Sequence, residues 1–225
     1  DLDEIDTVVD YLRDLRGVER VSFIGWSAGA ARAGAYAARN PEKVDRVFLY
    51  APGYNPTAPS TPPDDLPQPG FPTSLRTRAQ QTSWEGIGCE GQRDPAIAEP
   101  IWDTTLAFDK LGRSWGPAEG VMRIRTTTSF WGWNADAARQ VESPTLTVLG
   151  ELDRIATGAK QLHEDLGTRD KVFVNVACAS HFMLWERQHR ALHRLSSEWL
   201  GDGTIDGHKR GVFSVDPEGE WHRTG

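Results

Sequence analysis

The 225-residue chain predicts an α/β fold built on a mostly parallel sheet, and three observations lead there. Apolar, β-rich runs recur near Val21, Val47, Leu146 and Val172. Helical patterns separate or flank them, at residues 1–16, 28–39 and toward Leu200. The loops that follow the strands carry serine, acidic and histidine residues, at the end of the sheet where open α/β folds place their sites.

Taken in order, Ile5, Val8, Val9, Leu12 and Leu15 recur at helical spacing and predict a helix over 1–16. Val21-Ser22-Phe23-Ile24 then reads as a strand that runs straight into Gly25-Trp26-Ser27-Ala28-Gly29, and a small-residue helix follows to residue 39. Strand, five-residue turn and helix are the context that a G-x-S-x-G nucleophile elbow requires. Such a turn is tight enough to strain the serine backbone while lifting its hydroxyl above the sheet edge. Glycines on both flanks are expected to relieve the crowding. The N–H groups opening the helix face the charge that develops during attack, which makes the N–H of Ala28 a candidate oxyanion donor. Trp26 is expected to pack beneath the turn, with a substrate contact as the alternative.

A serine needs a base, and the base needs an orienting acid. Ser143-Pro144 opens the run 145–149, and Gly150-Glu151-Leu152-Asp153 follows at its C-terminal end. Asp153 is the preferred acid, with Glu151 as its competitor two residues nearer the strand. The run 171–176 leads into Ala177-Cys178-Ala179-Ser180-His181-Phe182, so His181 stands in a loop after a strand and is the expected base. The other histidines, His163, His189, His193, His208 and His222, lie in polar helical patterns or the Gly-rich tail, and a solvated position is expected for each.

Between these pieces the pattern changes. Pro52, Pro56, Pro59, Pro62, Pro63, Pro67, Pro69 and Pro72 make a connector ill suited to helix or sheet. Stretches 74–83 and 94–110 then read as helices between glycine breaks. Five of the nine tryptophans fall in this region: Trp84, Trp102, Trp115, Trp131 and Trp133. Each is either core of a small subdomain or wall of a pocket; Trp131 and Trp133 cannot both face inward if extended, so one is a candidate substrate contact. In the tail, Val212-Phe213-Ser214-Val215, the turn at 216–219 and Glu220-Trp221-His222 predict a β-hairpin.

With these residues in place, the chain resembles the α/β-hydrolase superfamily, in particular its single-domain esterase and lipase-like members. The resemblance is carried by 21–52 with the serine turn, by 144–153, and by 172–200, where His181-Phe182 is followed by Glu186 and a helix ending in Glu198-Trp199-Leu200. It implies Ser27 as nucleophile, Asp153 as carboxylate and His181 as general base and acid. It implies core pieces at 1–52 and 139–200, with the connector and a Trp-rich helical cap at 53–138; the hairpin extension spans 201–225. It also exposes a difference, because members usually begin with several further strands, and a loop after the third, often with His-Gly, gives the second oxyanion N–H. At most four strands are therefore expected here, with the serine strand lacking a neighbour and an N-terminal fragment or second chain completing the sheet.

Composition is that of a soluble globular domain. With 38% hydrophobic and 25% charged residues the chain can bury one sizeable core, and no apolar run reaches membrane-spanning length. A net charge of −7 argues against nucleic acid as partner and leaves an uncharged small-molecule ester as the expected substrate. Cys89 and Cys178 show no metal-ligand spacing; a buried thiol at Cys178 is the preferred reading, with a cap-to-core disulfide to Cys89 as the alternative. The expected chemistry is ester hydrolysis through an acyl-serine without cofactor or metal. An amidase or peptidase, thioesterase, perhydrolase or acyltransferase would use the same residues, and a non-catalytic binding module would leave them idle. An aspartate-nucleophile enzyme is disfavoured by the serine.

Overall fold

A computed structural model describes residues 1–62, 64, 73–82, 88–125 and 131–224. Pro63, Pro67, Pro69, Pro72 and Trp84 lie outside the described residues. The first part of the chain runs α1 (Leu2–Arg16), β1 (Val21–Trp26), α2 (Ala28–Arg39) and β2 (Val44–Tyr50). An intervening region holds β3 (Thr73–Arg76), α3 (Arg78–Thr82), α4 (Pro95–Phe108), α5 (Lys110–Ser114), β4 (Met122–Arg125) and α6 (Ala135–Ala138). The last part comprises β5 (Thr145–Gly150), α7 (Ala159–Asp165), β6 (Lys171–Val176), α8 (His189–Asp202), β7 (Gly211–Val215) and β8 (Trp221–Arg223).

The main sheet has the order β1-β2-β5-β6-β7-β8 and is parallel except for the antiparallel pair β7–β8. This corrects the expected four strands to six. The difference comes from the tail: Val174 pairs with Phe213 and Val176 with Val215, so the strand expected in an appended hairpin extends the central sheet. Pairing with a strand 39 residues away is a tertiary choice that local pattern does not display. At the opposite edge β1 pairs with β2 alone among the described residues, and Ile24 is exposed there.

Helices cover both faces because β2 is apolar on both. Phe48 and Tyr50 belong to one buried cluster with Leu146, Val148, Val174, Met183, Leu195 and Trp199. Val47 and Leu49 belong to another with Ala30, Ala33, Tyr36 and Ala37 of α2, Val9 of α1 and Leu162 of α7. Successive side chains of a strand point to opposite faces, so this split follows from the pleat. Trp199 is fully buried and its indole N–H donates to the Val47 carbonyl at 2.9 Å, which satisfies the one polar atom it takes into the core.

In the intervening region, residues 74–76 form part of β3 rather than the expected helix, because they pair antiparallel with β4 some fifty residues later; helix resumes at Arg78. The stretch 94–110 is helical as expected, but it divides at Asp109, whose side chain accepts the Gly112 N–H and restarts the helix as α5. Trp102, Leu106 and Met122 pack together as a small cluster of their own. Trp133 is 2% exposed and sits on the α2 side of the main core, against Tyr54 and over Gly34. A Cβ at Gly34 would lie 2.5 Å from the Trp133 ring, so that glycine makes the space. Of the candidate pair, Trp133 is core and Trp131 is the exposed one.

Two further expectations change. Cys89 and Cys178 form a disulfide with Cα atoms 5.6 Å apart, so Cys178 is no free thiol; the two loops meet only in three dimensions. His163 is half-buried against Phe173 rather than solvated, and burial, with the charge of Lys171, lowers its pKa to about 4.

Candidate active site

The site begins with backbone strain. Ser27 has φ 55° and ψ −121°, a conformation unfavourable for a side-chain-bearing residue, between the end of β1 and the start of α2. The turn survives because the neighbours over-determine it. The Ser27 N–H donates to the Tyr50 carbonyl at 3.0 Å, and its own carbonyl accepts the Ala30 N–H at 3.0 Å. Gly25 is obligatory: a Cβ there would stand 2.5 Å from the Ala30 Cα. Gly29 is not, since nothing lies within 4 Å of the Cβ it lacks, which corrects the expectation that both flanking glycines relieve crowding. Ala28 is the first residue of α2, so its N–H belongs to the helix-opening donors that have no partner within the helix.

His181 and Asp153 arrive from loops at the same end of the sheet. His181 Nε2 lies 2.8 Å from Ser27 Oγ, and its Nδ1 lies 2.9 Å from Asp153 Oδ2. The three side chains thus form one continuous hydrogen-bonded row across 154 residues of sequence. His181 is 6% exposed and the Asp153 side chain is fully buried, while Ser27 remains half-buried and open to approach. Burial pushes the Asp153 carboxyl upward, but the hydrogen bond from His181 and those from the Ala156 and Ile155 N–H groups outweigh it and hold the pKa below the ordinary carboxylate value. Asp153 is therefore ionised at neutral pH and fixes the tautomer in which Nε2 faces the serine. Glu151, the competitor, is exposed and accepts the Cys178 N–H at 3.1 Å.

Aromatic side chains hold the histidine's backbone. The Trp26 indole N–H and the Tyr50 hydroxyl both donate to the His181 carbonyl, at 3.0 and 2.7 Å. The Tyr50 hydroxyl also accepts the Met183 N–H at 2.7 Å, and its burial raises its pKa well above the ordinary value, so it stays a neutral donor. Trp26 stacks on Tyr50 and meets His181, Phe182 and Trp185. The structure thus places Trp26 between the serine turn and the histidine loop. Tyr50, at the end of β2, was not expected at the site; only its position at a strand C-terminus hinted at it.

Among the described residues no group of three or more His, Cys, Asp or Glu is arranged to hold a metal ion, and no helix is long and apolar enough to cross a membrane. What the row can do is pass a proton from a hydroxyl to an imidazole whose positive charge an adjacent buried carboxylate stabilises.

Comparison with solved structures gives matches of the same fold. A monoacylglycerol lipase of Paleococcus ferrophilus is 21% identical with a TM-score of 0.51, covering 88% of this chain and 73% of its own. A serine hydrolase involved in carbazole degradation is 16% identical, TM-score 0.50, over 85% of this chain and 69% of its own. A serine hydrolase of Cycloclasticus zankles, a polyaromatic-hydrocarbon-degrading bacterium, is 17% identical, TM-score 0.50, over 87% and 68%. Comparison with curated protein sequences gives no match. Residues 1–195 match the model of the alpha/beta hydrolase family, in keeping with the mostly parallel sheet and its flanking helices, and the chain belongs to that family.

Proposed function

We propose that the protein is a serine hydrolase that cleaves a carboxylic ester of an apolar or aromatic small molecule through an acyl-serine intermediate. The observation that carries this reading is the row Ser27–His181–Asp153, with both links at hydrogen-bond distance and the serine the open member. His181 Nε2 takes the Ser27 proton as Oγ attacks the ester carbonyl, and Asp153 stabilises the imidazolium that results. The oxyanion takes the N–H of Ala28 as one donor. Collapse expels the alcohol, which receives its proton from His181. Water, deprotonated by the same histidine, then releases the acid. The family membership supports hydrolysis as the reaction class. The aromatic surroundings of Trp26 and the exposed ring of Trp131 lean toward a ring-bearing or apolar ester.

An alkyl fluorophosphonate probe and a panel of p-nitrophenyl esters test the proposal together. Labelling at Ser27 with ester turnover is expected; absence of labelling in a folded protein would instead indicate a binding module. Parallel assays on amide, thioester and alcohol-acceptor substrates separate the esterase from its alternatives.

A further inference from the structure

A second buried carboxylate stands behind the histidine loop. Glu186 is 1% exposed and five residues beyond His181. Its Oε2 accepts the Ser180 N–H at 2.8 Å, and its Oε1 accepts the Ser180 hydroxyl and, at 3.0 Å, an N–H of the Gln92 side-chain amide. The Ser180 Oγ in turn accepts the Phe182 N–H at 3.1 Å. The residues on both sides of His181 are therefore tied to one carboxylate. That carboxylate is buttressed from the intervening region: Gln92 is 2% exposed, its carbonyl accepts the Arg187 N–H at 2.7 Å, and the disulfide Cys89–Cys178 fastens the same segment to the start of the loop.

We propose that Glu186 is the positioning residue for His181: through Ser180 it sets the loop so that Nε2 meets the serine, with the segment at 88–93 locked behind it. The proposal rests on the serine-hydrolase reading above. Glu186 touches neither Ser27 nor the imidazole, so it acts only through the loop. A loosened loop lets the imidazole drift from Oγ, and a displacement of about 1 Å costs on the order of a hundredfold in rate. Because the attachment is by hydrogen bonds, an amide serves nearly as well. In Glu186→Gln the oxygen accepts the Ser180 N–H, and the NH2 donates to the Ser180 Oγ and to a Gln92 amide turned over to present its oxygen.

The test is steady-state kinetics on p-nitrophenyl butyrate with Glu186→Leu, Glu186→Gln and Ser180→Ala, folding being checked by circular dichroism. Glu186→Leu is expected to lower kcat by about 10- to 100-fold with KM within about twofold, and Glu186→Gln to recover kcat to within about threefold of the parent. A folded Glu186→Leu that keeps its kcat would overturn the proposal, and so would a Glu186→Gln as slow as Glu186→Leu. Should Glu186→Leu not fold, Ser180→Ala decides: a kcat several-fold down at constant KM supports the positioning role, and an unchanged kcat refutes it. Fluorophosphonate labelling of Ser27→Ala is run beside them. Labelling that persists there defeats the serine reading itself, whereas labelling that is lost while Glu186→Leu stays fast defeats the positioning role alone.

Discussion

The serine turn and the histidine loop reach the same point by different means. Ser27 is held mainly by its immediate chain, with a strand before it, a helix after it, a glycine two residues back and a strained φ of 55°, and from outside by one backbone bond, its N–H to the Tyr50 carbonyl. His181 is held by residues remote in sequence, namely Trp26, Tyr50, Asp153 and, through Ser180 and Glu186, Gln92. On the proposed reading the serine needs only to be presented, which a short turn with one backbone bond to the next strand can do. The base, on the same reading, must be aimed at one atom and away from others, and a loop whose own regular structure is one short 3-10 turn at Met183–Trp185 gains most of that precision from outside. The turn should thus tolerate loss of its chemical group without losing shape, while the loop should lose rate gradually as supports are removed.

The sharpest test of this contrast is Ser27→Ala. More than about three orders of magnitude of esterase rate are expected to vanish, with the thermal midpoint unchanged because the hydroxyl supports no part of the turn. A fully active variant would sink the assignment. Asp153→Asn comes next, at up to about 10⁴-fold in kcat, because an amide in that place no longer selects the tautomer with a free Nε2 toward the serine. Its Oδ1 still accepts the Ile155 and Ala156 N–H groups, so the loop fold is retained.

A smaller effect separates the two flanking glycines. Gly25→Ala forces a methyl to 2.5 Å from the Ala30 backbone and is expected to cost about 1–3 kcal/mol, seen as a lower thermal midpoint and slower turnover. Gly29→Ala meets nothing and is expected to hold or raise the midpoint. Equal destabilisation by both would show that the turn is not built around Gly25. On the loop side, Trp26→Phe keeps the ring stack and removes the indole donor to the His181 carbonyl, worth about 0.5–1.5 kcal/mol, or a several-fold drop in kcat.

The mildest prediction lies away from the site. His163 has a native pKa of about 4 against an ordinary histidine value of 6.5, so between those values the unfolded chain binds the proton and the native one does not. Stability is therefore unaffected above about pH 6.5, falls as the pH is lowered through the window, and levels off below about 4. His163→Asn should flatten that part of the melting-temperature profile measured from pH 7 to 4. An identical slope in parent and variant would return His163 to solvent.

Legibility followed range. Strands β1, β2, β5 and β6 and helices α1, α2 and α8 lie where apolar period and small-residue runs predicted them, because each pattern is complete within one element. The strand β3 was misread as helix because four residues carry too little pattern to outweigh their pairing with β4. Trp133 could not be sorted from Trp131, since what decides it is the missing side chain of Gly34 on another helix. The expected free thiol at Cys178 fails for the same reason: its disulfide partner Cys89 is 89 residues away.

From the amino-acid order alone came the α/β class, the strained turn that carries Ser27, and the sequence of serine, acid and histidine, all of them readable because each depends on neighbours within a few residues. Only the tertiary structure turned Glu151 away to the Cys178 N–H, brought Tyr50 and Trp26 under the His181 carbonyl, and buried Glu186 behind Ser180. Those choices are settled by distance and direction between loops that the sheet brings together, and no local periodicity encodes a distance between two loops.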